Sequence, residues 1–138
     1  MGWLPDSDFG RRVQARLEEA VVGWLTTVGQ DGTPQPNPVW FITDGDEILV
    51  YNRSDARRLR HLSRSPRVSL NLDSHEGGAI VVITGEARIL PDAPAPDAVA
   101  DYVAKYGERM RRVSGSLEAF GAKYPVAVRI RPERVRGF

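Results

Sequence analysis

An arginine-rich segment, residues 51–67, holds the residues whose types and spacing best predict chemistry. A strand is expected to end at Asn52, and Ser54 is a candidate cap for the helix that follows. A helix N-terminus attracts anions through its free N–H groups, and the planar guanidinium group of arginine binds phosphate through two parallel hydrogen bonds. The segment therefore predicts a phosphate-binding corner. Its arginines are Arg53, Arg57, Arg58, Arg60, Arg64 and Arg67.

Two other interpretations of these arginines stay open at this point. A solvated basic helix face, anchored to the core through Leu59 and Leu62, is the plain structural interpretation. A nucleic-acid-binding helix is the third, but the segment lacks interleaved aromatic residues and the chain has a formal net charge of only +1. We therefore expect no nucleic-acid partner.

The familiar catalytic constellations are missing from the sequence. There is no cysteine, which excludes disulfides and thiolate metal sites, and the two histidines, His61 and His75, are expected to be solvated surface residues. No nucleophile elbow, P-loop or dinucleotide-binding glycine motif occurs. No metal site is expected and the catalytic residues stay unknown. Tyr51 is the nearest candidate for a proton donor, although a pocket wall is its more ordinary role.

The elements that must position these residues are mainly β-strands. Alternating apolar residues and turn sequences predict antiparallel strands, and helical spacing predicts the flanking helices. Six or seven strands in a chain of 138 residues indicate a closed or partly closed antiparallel barrel in one domain, residues 1–138. The predicted strands are residues 22–28, 34–43, 47–52, 67–72, 79–90, 125–131 and 135–138. The predicted helices are residues 7–20, 55–64, 97–113 and a short one containing Leu117 and Phe120.

Three prolines at alternate positions, Pro34, Pro36 and Pro38, mark the second strand. Proline has no N–H, so one edge of this strand cannot donate hydrogen bonds to a neighbouring strand. Such an edge protects against aggregation, or it is an opening against which a ligand or a second subunit packs.

The sequence gives no sign of targeting or membrane insertion. Residues 1–12 lack the apolar core of a signal peptide, and the longest aliphatic run, residues 79–83, is far shorter than the roughly 20 residues of a membrane span. We expect a cytoplasmic protein with no membrane partner.

The order of motifs resembles that of the pyridoxamine 5′-phosphate oxidase-like split β-barrels. The chain is most similar to their actinobacterial branch, the deazaflavin-dependent reductases that use coenzyme F420. The likeness extends from about residue 22 to residue 136, and the C-terminal sequence VAVRIRPERVRGF, residues 126–138, also resembles this branch. The motifs that carry it are Pro38-Val39-Trp40-Phe41, Tyr51-Asn52-Arg53-Ser54 and Ser65-Pro66-Arg67-Val68-Ser69-Leu70.

The resemblance implies a cofactor site. Arg58, eight residues before Pro66, stands where the family holds the cofactor phosphate, with Arg53, Ser54 and Arg57 supplying further contacts. The flavin or deazaflavin ring is expected on two strand segments, and a partner subunit is expected to close the pocket of a homodimer. The ring-contacting residues are expected to be Asn37, Pro38, Val39, Trp40, Val50, Tyr51 and Asn52.

The function implied is hydride transfer between F420 and a small unsaturated substrate. An FMN-dependent oxidoreductase of the same fold and a non-catalytic carrier of F420 or flavin are the alternatives. Ser65 replaces the Asn or Asp that usually precedes the family's proline, and Arg58 replaces a more common lysine. The substrate-binding C-terminal motif of the vitamin B6 oxidases is missing, so vitamin B6 oxidation is not expected.

Overall fold

The computed structural model describes residues 1–138 as one seven-stranded antiparallel sheet, curled into a half-barrel, with four flanking α-helices. The strand order is β2-β1-β5-β6-β7-β4-β3. This architecture confirms the predicted mainly β fold. The elements are α1 (Asp8–Glu19), β1 (Gly23–Val28), β2 (Pro34–Val39), β3 (Phe41–Asp44), β4 (Glu47–Asn52), α2 (Arg57–Arg64), β5 (Arg67–Leu72), β6 (Val81–Leu90), α3 (Ala100–Ser114), α4 (Leu117–Lys123) and β7 (Val126–Gly137).

The predicted single strand over residues 34–43 is wrong. The strand is interrupted at Trp40, and its two parts lie at opposite edges of the sheet, where β2 pairs only with β1 and β3 only with β4. The first four strands, consecutive in sequence, therefore do not form one continuous meander, because β2 and β3 are not neighbours in the sheet. Because the sheet is curled, the chain passes from one edge to the other by a bend at one residue, and Trp40 stands in that gap.

The prolines of β2 confirm that one edge of this strand is unpaired. Pro34, Pro36 and Pro38 lie opposite residues of β1 in the pairing register, and β2 has no strand on its other side. Because proline donates no backbone hydrogen bond, the donors from β2 to β1 must come from the intervening residues. The outer edge of β2 is thus the edge that lacks N–H groups.

A single bulged strand ends the chain, where two strands were predicted. β7 runs continuously from Val126 to Gly137 and pairs with both β6 and β4. Its register against β6 shifts between Thr84 and Gly85, so that Glu133 has no opposite residue on β6. A bulge of this kind accommodates Pro132, which could not donate within a regular ladder.

The helices differ from the sequence prediction mainly at their ends. Ser54 does not cap α2: the cap position is Ala56, which makes no side-chain hydrogen bond, and the helix begins at Arg57. The predicted helix over residues 97–113 is a short 3₁₀ turn, Pro96–Ala98, followed by α3. Val113, the last residue of the predicted helix, is 55% exposed. None of the helices combines the length and apolar composition that a membrane span needs.

Two hydrophobic clusters lie on the two sides of the curled sheet. The larger one fills the half-barrel beneath α1, and the smaller one packs α3 and α4 against the outer side of β3, β4 and β7. β4 contributes to both, because Ile48 and Val50 point inward while Leu49 and Tyr51 point toward the helices. The strand that ends at the predicted phosphate corner is therefore buried on both faces.

The bulge gives a direct test of the β6–β7 packing. In a Gly85→Ala variant the new Cβ would lie 2.2 Å from the Arg131 carbonyl oxygen, so backbone must shift. We expect the free energy of unfolding to fall by about 1–3 kcal/mol, measured by urea denaturation. Gly29→Ala is the control, since its nearest neighbours lie at 3.4 Å, and it should stay within about 0.5 kcal/mol of the unsubstituted protein. Equal stability of the two variants would contradict this packing.

Candidate functional site

A cavity of about 160 Å³ lies where β2 and β4 end, beneath α3 and α4. Arg58 projects into it from the first turn of α2, which directly follows β4 in the chain. The cavity is mostly apolar, with polar groups from Arg58 and from tyrosines. Its lining residues are Pro38, Val39, Trp40, Tyr51, Arg58, Tyr102, Val113, Phe120 and Tyr124.

Arg58 is a half-buried cation with no anionic partner. Its Nε donates to the Asn52 Oδ1 at 2.5 Å, and it takes part in no salt bridge. Burial lowers the pKa of the Arg58 guanidinium, partly offset by the nearby Tyr124. A charge removed from water without a counter-charge is costly, so an anion bound in the cavity would supply the counter-charge that the protein lacks. The surface helix face that the sequence left open as an alternative does not describe this arginine.

Asn52 is fully buried, with no part of it exposed. Its Nδ2 donates to the Val126 carbonyl at 3.0 Å and to the Val50 carbonyl at 3.3 Å. With its Oδ1 occupied by Arg58, the amide uses both ends, as a buried polar group requires. Asn52 thus lies behind Arg58 and does not line the cavity.

Stacked aromatic rings form the wall opposite the strands. Trp40 stacks on Tyr106 at 5.0 Å and on Phe120 at 5.4 Å, and Phe120 stacks on Tyr124 at 4.5 Å between ring centroids. The Tyr106 hydroxyl accepts from the Phe41 N–H at 2.9 Å, next to the bend at Trp40. Burial raises the pKa of Tyr106 to about 12. These contacts build a rigid apolar wall, of which Trp40, Phe120 and Tyr124 border the cavity.

The hydroxyl groups of the cavity are of two kinds. Tyr51 donates to the Pro94 carbonyl at 2.7 Å, and burial raises its pKa. Its hydroxyl proton is therefore held by a backbone carbonyl, so in this structure Tyr51 lines the cavity and is not placed to donate a proton. The Tyr124 hydroxyl makes no hydrogen bond within the chain and lines the same cavity as Arg58.

Five of the eleven predicted site residues come together here: Pro38, Val39, Trp40, Tyr51 and Arg58. The others do not line the cavity. Val50 belongs to the half-barrel core, and Asn37 is partly exposed on β2. Arg53 pairs with Asp55 at 3.1 Å, while Ser54 and Arg57 are exposed.

Sequence reasoning missed the contribution of α3 and α4. Tyr102 was expected within the helix over residues 97–113, and Phe120 in the short helix that follows, but neither was placed at the site. The helical spacing correctly indicates burial, and nothing in it tells which end of the sheet the helices cover. Tyr124 carries no pattern at all, because it lies at the C-cap of α4.

His61 is not the solvated residue that the sequence suggested. It is half-buried on α2, and its Nδ1 lies 2.8 Å from the Oγ1 of Thr27, itself fully buried. This contact ties α2 to β1. His75 lies in the exposed loop after β5, as expected.

Comparison with known proteins gives the family. The family described as pyridoxamine 5′-phosphate oxidase matches residues 9–138. The chain belongs to this family. Its curled sheet is the family's split barrel, and the family match includes every residue that lines the cavity.

Solved structures with the same fold differ in what they are described as doing. An F420 reductase is 26% identical, with 89% of this chain and 94% of that chain covered and a TM-score of 0.67. A conserved hypothetical protein from Mycobacterium tuberculosis is 21% identical, with 99% of this chain and 86% of that chain covered and a TM-score of 0.70. The heme storage protein HutZ from Vibrio cholerae is 17% identical, covering 92% of each chain, with a TM-score of 0.67. The last two similarities show the fold alone.

Arg58 is the residue on which an anion site at this cavity depends. An Arg58→Ala variant removes a charge-assisted contact, so the Kd for FMN should rise about 10- to 150-fold in a flavin fluorescence titration. The unbound protein is relieved of a half-buried charge but loses the hydrogen bond to the buried Asn52, so its free energy of unfolding should fall by no more than about 1–3 kcal/mol.

Arg64→Ala is the matched control for this experiment. Arg64 is an exposed arginine of the same helix, about two turns further on, and its removal should leave the Kd for FMN unchanged. If Arg58→Ala binds FMN as tightly as the unsubstituted protein, the phosphate corner is wrong.

Proposed function

We propose that this protein is an F420-dependent oxidoreductase that transfers a hydride between the deazaflavin and a small unsaturated substrate. The observation that carries the proposal is Arg58, a half-buried arginine without a carboxylate partner, facing a cavity walled by stacked aromatic rings. A phosphorylated ring cofactor supplies both the anion and the flat apolar body that this arrangement lacks. The family and the 26% identical F420 reductase support the same assignment.

The remaining arginines of α2 favour F420 over FMN. Arg57, Arg60 and Arg64 recur at three- and four-residue spacing, so they lie on one helix face, and all three are exposed and free of salt bridges. The deazaflavin continues past its phosphate into a chain of carboxylates, whereas FMN ends at the phosphate. A row of unpaired guanidinium groups beyond Arg58 suits the longer, more anionic cofactor. Arg67 does not join the row, because it pairs with Glu133 and Glu86.

The bound deazaflavin supplies the hydride chemistry. The chain's own residues bind, orient and exclude water: Arg58 holds the phosphate, and the Trp40 and Phe120 rings form an apolar wall. Of the two cavity phenols that make no hydrogen bond within the chain, Tyr102 is buried and Tyr124 is partly exposed, so the Tyr124 hydroxyl is available to hydrogen-bond the substrate. No histidine lines the cavity, and no feature of the chain specifically favours heme.

The cavity of a single chain is too small for the whole cofactor. Its volume of about 160 Å³ lies below the roughly 300–1,000 Å³ of ordinary ligand pockets. We propose that a second copy of the chain completes it in a homodimer. Trp24, 37% exposed on β1, lines a shallow groove together with five other apolar residues, and an apolar patch of this kind supports a contact surface. The five are Pro36, Leu72, Ile80, Val81 and Val82. A cytoplasmic location stays a prediction from the sequence.

Titration with the two cofactors tests the assignment directly. We expect oxidised F420 to bind more tightly than FMN, because its tail adds contacts with Arg57, Arg60 and Arg64. Isothermal titration of the same preparation with each cofactor measures the two Kd values, and Arg64→Ala should reduce the difference between them. Equal or weaker F420 binding would favour the FMN-dependent alternative, and tight binding without turnover of any unsaturated acceptor would favour the carrier.

The oligomeric state tests the second half of the proposal. Sedimentation velocity at micromolar concentration should give twice the mass of one chain, since two-fold pairing of identical faces is the commonest way to cover such surfaces. A monomer that still binds the cofactor with full affinity would show that one chain completes the site alone.

A further inference from the structure

We infer that Asn52 is a positioning residue, whose buried amide holds the Arg58 guanidinium toward the cavity without neutralising it, so that the site selects an anionic cofactor over its uncharged form. The inference rests on the proposed function for the nature of the ligand. The contact between the two side chains stands on the structure alone.

The amide is held in one orientation by the backbone. Its Nδ2 donates to the carbonyls of Val50 and Val126, residues of the paired strands β4 and β7. Rotating the amide by half a turn would set its oxygen against these two carbonyl oxygens and its nitrogen against the Arg58 Nε–H. Asn52 therefore presents an acceptor to Arg58 and nothing else.

The hydrogen bond from Nε leaves the rest of the guanidinium group free. Arginine has five N–H donors in a fixed planar fork, and Asn52 accepts from one of them. Arg58 lines the cavity and makes no other side-chain hydrogen bond. Two Nη groups are thus available to an anion, in the planar geometry that suits a bidentate contact.

Among the arginines that hydrogen-bond to another side chain, Arg58 differs in having a neutral acceptor. Arg53 is bound by Asp55, Arg67 by Glu133 and Arg88 by Glu47. A carboxylate at position 52 would also orient Arg58, but it would cancel the charge before any ligand arrived. The amide provides direction and leaves the positive charge for the ligand.

Nuclear magnetic resonance of the unsubstituted protein tests the contact without any cofactor. The Arg58 Nε–H should exchange with water at least about tenfold more slowly than that of the exposed Arg64, because it is hydrogen-bonded and half-buried. Adding inorganic phosphate should shift the Arg58 side-chain resonance and leave its slow exchange intact. An Arg58 Nε–H that exchanges as fast as that of Arg64 would overturn the inference.

An Asn52→Leu variant tests selectivity. Titration should show that the Kd for FMN rises roughly tenfold, whereas the Kd for riboflavin, which lacks the phosphate, changes by less than about twofold. In an Arg58→Ala background the same substitution should add no further loss for FMN. Asn71→Leu, on β5 and away from Arg58, is the matched control and should change neither Kd.

The outcomes separate this inference from the proposed function. Equal losses for FMN and riboflavin, or additive losses with Arg58→Ala, would show that Asn52 acts only on the fold and would overturn the inference. If Asn52→Leu does not fold, the exchange and phosphate measurements on the unsubstituted protein decide the question. A protein that binds neither F420 nor FMN, but shows the protected Arg58 Nε–H and its response to phosphate, would refute the proposed function and leave Asn52 as the positioning residue.

Discussion

The bend at Trp40 is the constraint on which the rest of the structure depends. A curled sheet of seven strands has two edges, and here one continuous stretch of chain supplies both of them, β2 before the bend and β3 after it. The indole at the bend stacks between Tyr106 and Phe120, which fixes α3 and α4 over the gap. The cavity is therefore a product of how the sheet splits, and its aromatic wall is the packing that holds the split in place.

The electrostatics of the cavity follow from a strand buried on both sides. β4 has the half-barrel core on one face and the helical layer on the other, so a polar residue at its end has no access to water. Such a residue must find partners within the protein, and Asn52 finds two strand carbonyls and one guanidinium. Arg58 in turn is drawn away from solvent by a group that cannot balance its charge. The buried amide of Asn52 therefore explains both why Arg58 is partly buried and why its charge remains available to an anion.

Much of the fold could be read from the sequence, because strand and helix periods are local properties. β4 and β5 were placed to the residue, at residues 47–52 and 67–72. The edge-to-edge bend at Trp40 could not be read, since no local pattern says which strands become neighbours. Arg58 was singled out through the family resemblance, whereas Tyr124 and Phe120 reach the cavity through tertiary packing alone. The burial of His61 had the same cause, a contact with a residue 34 positions away.

The prolines of β2 give the outer edge of the sheet an unusual polarity. In a strand the N–H and C=O of one residue point to the same side, so an edge with proline at every outward position carries carbonyl oxygens and no N–H groups. Pro34, Pro36 and Pro38 make the free edge of β2 an edge of acceptors only. Two such edges repel, because each would offer the other lone pairs and no proton. Copies of this chain therefore cannot join β2 to β2 into a longer sheet, and if they associate through this part of the molecule, they must do so through its faces.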